Sequence, residues 1–333
     1  MPGHHSYSFI QLPRDAPFVL RPSPGKGWGA FAKRRIEVGQ LIIKESPFFV
    51  IRKSPTERTE DILKIAVATL SPIQKLQFSL IRKNSIQVFT SMEEAFDENC
   101  FKLGDNADPG LCGLFPLHSR LNHSCVPNAT ISRVGYNLES FANTCIQSDE
   151  EICFSYNGGF EALTMVERHR LLAFVCTCKA CRPGTTFQQC SDMRRRLIRG
   201  LHFLCQRRRA DQHPDAAQII LDPILRQTAA AGEIPLSSRF IYEVLSCLLL
   251  EQEGLLNDIL QSKAQKGVGH MSTAFRNKDN ADIAAAAMAQ TSWLERLDIA
   301  CRLWGRRDPA DAQLASINAD RRRALAARSS SHA

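Results

Sequence analysis

Three cysteines fall within six residues, at Cys176, Cys178 and Cys181, in the run Phe174-Val175-Cys176-Thr177-Cys178-Lys179-Ala180-Cys181. Thiols this close are hard to bury one by one as core residues. Three thiolates and one further ligand, by contrast, complete the tetrahedral shell that structural zinc prefers. Cys125 is assigned as the fourth. Such a site is net negative, and the adjacent Lys179 and Arg182 are placed to offset that charge. The N-terminal MPGHHSYSFIQLPRD has no apolar core behind a basic start, so export is not expected and the twelve cysteines of the chain are read as reduced thiols or metal ligands rather than disulfides.

The chain changes texture on either side of this cluster. Before it, Phe18 to Arg21, Gln40 to Arg52, Asn128 to Ile131 and Glu151 to Ser155 read as β elements, rich in Ile, Val and Phe and bounded by Pro/Gly turns such as RPSPGKGWG. Between Ser54 and Cys100 the spacing turns helical, with Ile62, Ile65, Ala66 and Thr69 on one face and Leu76, Leu80 and Ile81 on another. The β-rich portions must therefore meet across a helical insertion, so the sheet is assembled non-locally. After the cluster, Ile219 to Gln227, Arg239 to Leu250 and Ala281 to Trp304 predict a helical array, with a loop over Gly267 to Asn280 and a frayed tail from Ser329 to Ala333.

A length of 333 residues favours more than one packed unit, and 44% hydrophobic with 23% charged residues excludes wholesale disorder. The longest apolar run, Val244 to Leu250, is stopped by Glu251 and Glu253, so no membrane span is expected. The net charge of +8 draws on Arg194 to Arg196, Arg207 to Arg209 and Arg321 to Arg323. These runs offer contact to nucleic acid or an acidic partner, although without interleaved aromatics solvated helix faces are the better reading.

Three further segments are unusual. Gly25-Lys26-Gly27-Trp28-Gly29-Ala30-Phe31 carries alternate glycines, which either admit a ligand close to the backbone or make an ordinary tight turn. It has neither a Walker ending nor dinucleotide-loop spacing. Ser119-Arg120-Leu121-Asn122-His123-Ser124-Cys125-Val126-Pro127-Asn128 is a polar run between apolar flanks, whose Asn and His need partners. Asp149-Glu150-Glu151-Ile152-Cys153-Phe154-Ser155-Tyr156 joins an acidic turn, with Glu150 and Glu151 read as solvated carboxylates, to a strand closed by tyrosine.

In this order, the glycine loop, helical insertion, NHSCxPN, EExxxSY and FxCxCxxC resemble the SET domain family of protein-lysine methyltransferases, over Phe18 to about Pro183. Asn99-Cys100-Phe101 ahead of Gly113-Leu114-Phe115-Pro116, with helices to follow, is most similar to the SET and MYND branch. The insertion from Ser54 to Glu98 has no cysteine, so a MYND finger is not expected. The resemblance implies an α+β chain with a SET-type β fold over 18–160 that has a knot-like crossing and a helical insertion at 54–110. It further implies a small post-SET zinc module at 161–185 and an all-α region at 190–333.

The resemblance also implies roles. Lys26, Gly27 and Trp28 would meet the methionine end of S-adenosylmethionine, and Asn99, Ser119, Leu121, Asn122 and His123 would line the same pocket. Phe174 would stack on the adenine. Tyr156 would be the catalytic tyrosine, its hydroxyl near the transferring methyl and so also a cofactor contact. Cys125, Cys176, Cys178 and Cys181 would bind Zn²⁺. Two positions depart from the family pattern: Asp149 stands where many relatives have glycine, and Leu172 where many have an aromatic. The expected activity is lysine N-methylation of a protein, a histone tail or a non-histone acceptor, by a monomer in nucleus or cytoplasm, with a chromatin role among the expectations. The alternative is an inactive SET scaffold that binds protein or nucleic acid.

Overall fold

The computed structural model describes residues 5–52, 54, 57, 59–82, 88–104, 110–205, 216–234 and, beyond these, 239, 242, 245, 246, 249, 250 and 252–255. Two units are distinguished, Met1–Phe154 and Ser155–Ala333. In chain order the first holds strands β1 (Phe18–Ser23), β2 (Gly27–Ala32), β3 (Leu41–Glu45) and β4 (Val50–Arg52). Helices α1 (Glu60–Ala68), α2 (Pro72–Leu80) and α3 (Met92–Asn99) follow. Strands β5 (Cys100–Lys102), β6 (Leu111–Leu114), β7 (Asn122–His123), β8 (Ala129–Val134), β9 (Asn137–Ala142) and β10 (Glu151–Phe154) complete it.

The strands form three small sheets, ordered β1-β2-β10-β7, β3-β9-β8 and β4-β6-β5. Non-local assembly is as the sequence predicts. Ala30 on β2 lies opposite Ile152 on β10, Leu41 opposite Phe141, and Val50 opposite Gly113 across the insertion. The run from Gln40 to Arg52 is not one strand, however. It breaks at Ser46-Pro47 into β3 and β4, which sit in different sheets, because proline has no N–H to give a ladder. The glycine-rich segment is largely strand as well: β1 and β2 form a hairpin with Ser23 opposite Gly27, and Gly25 and Gly27 take φ of 74° and 84° at its turn. These left-handed values are where glycine is needed.

The insertion helices begin at side-chain caps. Thr59 Oγ1 accepts from Ile62 N, Ser71 and Gln74 make a capping box with Pro72 in the first turn, and Ser91 caps α3. The helical period is legible in the sequence here, and its phase only in part: Ile81 is buried, and Ile62 and Leu80 pack against the same core. The buried side chains are Leu63, Leu70, Phe78, Ile81 and Phe96, which pack with Ile51, Cys112 and Leu114 of β4 and β6. Ile65 and Leu76, which share the predicted faces with Ile62 and with Leu80 and Ile81, are exposed. A second core of Phe18, Ala30, Ile36, Leu121, Ala142 and Ile152 joins the sheets containing β2 and β9.

The second unit holds α4 (Met165–Leu171), α5 (Thr186–Cys205), α6 (Ala216–Ile219) and α7 (Pro223–Ala231) among its described residues. The predicted helix Ile219 to Gln227 is split at Ile220 to Asp222, since Asp222 caps α7 by accepting from Ile224 N and Leu225 N, and Pro223 opens it. Gly232 ends it at φ 78°. Arg194 and Arg195 are not a free basic surface. Both pair with Glu253, at 2.5 and 3.0 Å, and Arg195 is fully buried with NH1 donating to Phe160 O. The stretches Ala281 to Trp304 and Gly267 to Asn280, the tail, and the runs at 207–209 and 321–323 lie outside the described residues. No helix among the described residues is long and apolar enough to cross a membrane.

Candidate cofactor cradle and thiol cluster

In the first unit the hairpin β1–β2 and the parallel pair β7–β10 bring three sequence motifs to one place. Asn122 lies opposite Cys153, the third residue of β10. The Asn122 amide donates both of its hydrogens, to Trp28 O at 3.0 Å and to Glu151 Oε1 at 2.7 Å. Both partners only accept, so the amide orientation is determined and Oδ1 is the atom left to meet a ligand. The other Glu151 oxygen accepts from Lys26 Nζ at 2.8 Å.

Glu151 opens β10, as the strand reading from Glu151 to Ser155 expects, but its carboxylate is not the solvated group of an acidic turn: its side chain keeps 17% of its exposure. Burial alone would raise its pKa, but hydrogen bonds from Lys26, Asn122 and Ser23 outweigh that and hold it below the ordinary carboxylate value. The signal was the strand register, which no local motif carries. Beside it, burial pushes the Cys153 thiol up to about 12, so this thiol is neutral at pH 7 although Lys26 Nζ is 3.7 Å away.

Gly29 makes room for this group. A Cβ there would come 2.5 Å from Glu151 Oε1 and 2.7 Å from Asn122 Nδ2. The third alternate glycine is thus explained by the protein's own carboxylate and amide, while Gly25 and Gly27 are explained by the turn. Asp149, which stands where the resemblance leads one to expect glycine, has φ 68°, the one left-handed non-glycine among the described residues. Arg21 secures it by donating to Asp149 Oδ1 at 2.8 Å and Asp149 O at 2.9 Å.

The remaining expected pocket residues are placed less directly. Asn99 is buried, with Nδ2 donating to Ala95 O at 2.7 Å and Oδ1 accepting from Arg120. The same guanidinium donates to Ser119 Oγ at 3.1 Å, so Asn99 and Ser119 are joined through Arg120, which the sequence did not single out. Leu121 is a core residue. His123 Nε2 lies 3.2 Å from Cys125 Sγ, and both are buried. The Trp28 indole stacks on His5, with ring centres 4.9 Å apart.

In the second unit Tyr156 and Phe174 meet edge to face, with ring centres 6.2 Å apart and planes at 77°. Both are close to half exposed, at 48% and 45%. The sulfurs of Cys176, Cys178 and Cys181 lie within 4.8 Å of one another. The cation touching this cluster is neither Lys179 nor Arg182. Fully buried Arg168 donates from NH2 to Cys181 Sγ at 3.4 Å and to Ala180 O at 2.9 Å, whereas Lys179 Nζ lies over the Phe187 ring at 4.9 Å and Arg182 is exposed. Convergent thiols beside a buried guanidinium suit a soft divalent cation, and zinc among them.

Comparison with known proteins gives these sites a context. Potential protein lysine methyltransferase SET6 of Saccharomyces cerevisiae is 40% identical over 73 residues, 21% of this chain and 19% of that one. Histone-lysine N-methyltransferase set5 of Schizosaccharomyces pombe is 28% identical over 188 residues, 54% of this chain and 56% of that one. The chain thus matches about a fifth of the first relative's length and just over half of the second's. A crystal structure of the SET domain of LSMT bound to lysine and AdoHcy aligns over 80% of this chain and 81% of that one, at 11% identity and a TM-score of 0.30. Residues 27–157, which contain Asn122, Glu151 and Tyr156, match the SET domain family.

Proposed function

We propose that the chain is an S-adenosylmethionine-dependent protein-lysine N-methyltransferase. The match of residues 27–157 to the SET domain carries this reading, and relatives named as lysine methyltransferases support it. The cradle suits the cofactor chemically: Asn122 offers an acceptor, Oδ1, and no amide donor, which complements an ammonium group rather than a carboxylate. When bound, S-adenosylmethionine supplies a methyl group on a sulfonium. Lys26, Gly27, Trp28, Asn99, Ser119, Leu121, Asn122, His123 and Phe174 are the residues we assign to holding it, the first three largely through backbone.

The acceptor must be a neutral amine, yet a free lysine has a pKa near 10.4, so only about one in ~10³ is neutral at pH 7. Apolar surroundings and a neighbouring positive charge both disfavour the ammonium, which makes a strong dedicated base unnecessary. The Tyr156 ring, braced edge-on by Phe174, is assigned to orient the amine through its hydroxyl. Cys176, Cys178 and Cys181 are assigned to zinc, with Cys125, a buried thiol, as the fourth ligand. A four-thiol shell with no open position is a structural zinc site, not a catalytic one. Incubating the purified chain with labelled S-adenosylmethionine and a protein or peptide array tests the activity; absence of any labelled acceptor, with cofactor bound, would favour a non-catalytic role.

A further inference from the structure

We propose that Glu45, acting through His118, is a positioning residue for Asn122; the proposal rests on the cofactor role given to Asn122 above. Glu45 ends β3 and is buried. Its Oε1 accepts from Leu117 N at 2.8 Å, and its Oε2 accepts from His118 N at 2.9 Å and lies 2.7 Å from His118 Nδ1, which in the Nδ1–H tautomer donates to it. Only an ionised carboxylate accepts all three donors at once, because a carboxamide must turn one N–H toward another.

The bonded residues open the turn His118–Arg120, which runs through buried Leu121 straight into β7. That strand has two residues, paired as Asn122 with Cys153 and His123 with Phe154. So short a strand cannot hold its own register, and a slip of one residue would send Asn122 to the opposite face and take its amide off Trp28 and Glu151. Downstream, Ser124 N donates to Phe154 O at 2.9 Å and the Asn128 amide bonds Glu151 O and Cys153 N, each at 2.8 Å; upstream a second anchor is needed. Glu45 supplies it from a different sheet, since β3 pairs with β9 and not with β7 or β10. His118 is itself held, fully buried and edge-on to the rings of Phe101 and Phe115, with centres 6.1 and 6.2 Å away. Its Nε2 has no hydrogen-bond partner among the described residues. An apolar side chain would avoid that cost, so what histidine adds here is the Nδ1–H bond to Glu45.

The test uses the full chain with Glu45→Gln, His118→Leu and His118→Asn, the last keeping a donor at the δ position. Calorimetric titration with S-adenosylmethionine should show binding weakened by about 10-fold or more in Glu45→Gln and His118→Leu, and by no more than about threefold in His118→Asn. Hydrogen exchange should quicken in the segment from Leu121 to Ser124 and stay unchanged in the β8–β9 hairpin. In an Asn122→Ala background Glu45→Gln should cost no further affinity, because its effect passes through Asn122. Additive losses, or unchanged exchange from Leu121 to Ser124, would overturn the proposal. If Glu45→Gln does not fold, the two His118 variants decide it. A parent that binds no S-adenosylmethionine refutes the function instead, and the exchange pattern alone then decides the role of Glu45.

Discussion

Replacing Gly29 by alanine isolates the cradle from backbone effects. Gly29 is not at left-handed φ, unlike Gly25 and Gly27, so alanine is not strained there by conformation. The added methyl would instead stand 2.5 Å from Glu151 Oε1 and 2.7 Å from Asn122 Nδ2. Ordinary contact begins near 3.4 Å, so these atoms must retreat by roughly 0.7–0.9 Å. Both are ends of side chains and can move without the strands. What they lose is the 2.7 Å bond between them, and hydrogen bonds to a charged group contribute about 1.5–3 kcal/mol. We expect Gly29→Ala to lower unfolding free energy by about that amount in urea titrations, and to weaken S-adenosylmethionine binding by about 10-fold or more as Asn122 loses its fixed orientation. In a Glu151→Ala background the bond is already gone, so the stability cost of Gly29→Ala should fall by about 1 kcal/mol or more. A Gly29→Ala protein as stable as the parent, or an equal cost in both backgrounds, would show that the Glu151–Asn122 pair does not explain this glycine.

Tyr156→Phe should slow methylation of an identified acceptor by about 10-fold or more, equivalent to about 1.4 kcal/mol, while single-turnover rates, melting curves and cofactor titration separate this from folding or binding. Elemental analysis should find about one zinc per chain, and less in Cys125→Ser as well as in Cys176→Ser; unchanged metal in the former would remove Cys125 from the ligand set. Burial would raise the Glu167 pKa, but Arg199 and Thr164 outweigh it and hold the carboxyl down to about 2. A carboxyl depressed in the folded state stabilises fully above its unfolded pKa and loses that contribution as pH falls toward the folded value. The stability gap between parent and Glu167→Gln should therefore be constant near neutrality and close between about pH 4 and 2; a gap that stays constant through this range would exclude the linkage.

The sequence by itself determined the division between β-rich and helical portions, the non-local meeting of strands across an insertion, and the close thiols at Cys176, Cys178 and Cys181, because these depend on composition, period and spacing. Where the caps of the insertion helices lie is equally local: Ser71-Pro72 with Gln74 needs nothing beyond its own turn. Phase is different. Ile65 and Leu76 fit the helical period as well as Leu63 and Phe78 do, and only the position of β4 and β6 decided which stripe is covered. The cradle shows the same limit in its chemistry. Glu151 looks like one of two solvated acids until β10 pairs with β2 and β7, which sets its carboxylate between Lys26 and Asn122 and gives Gly29 its reason. Arg168 and Arg195 look like surface charge until carbonyls and a carboxylate distant in sequence accept their hydrogen bonds. A charged group can be buried only where its partners converge, and that convergence is a property of strand register and helix packing, which no local stretch of the chain encodes.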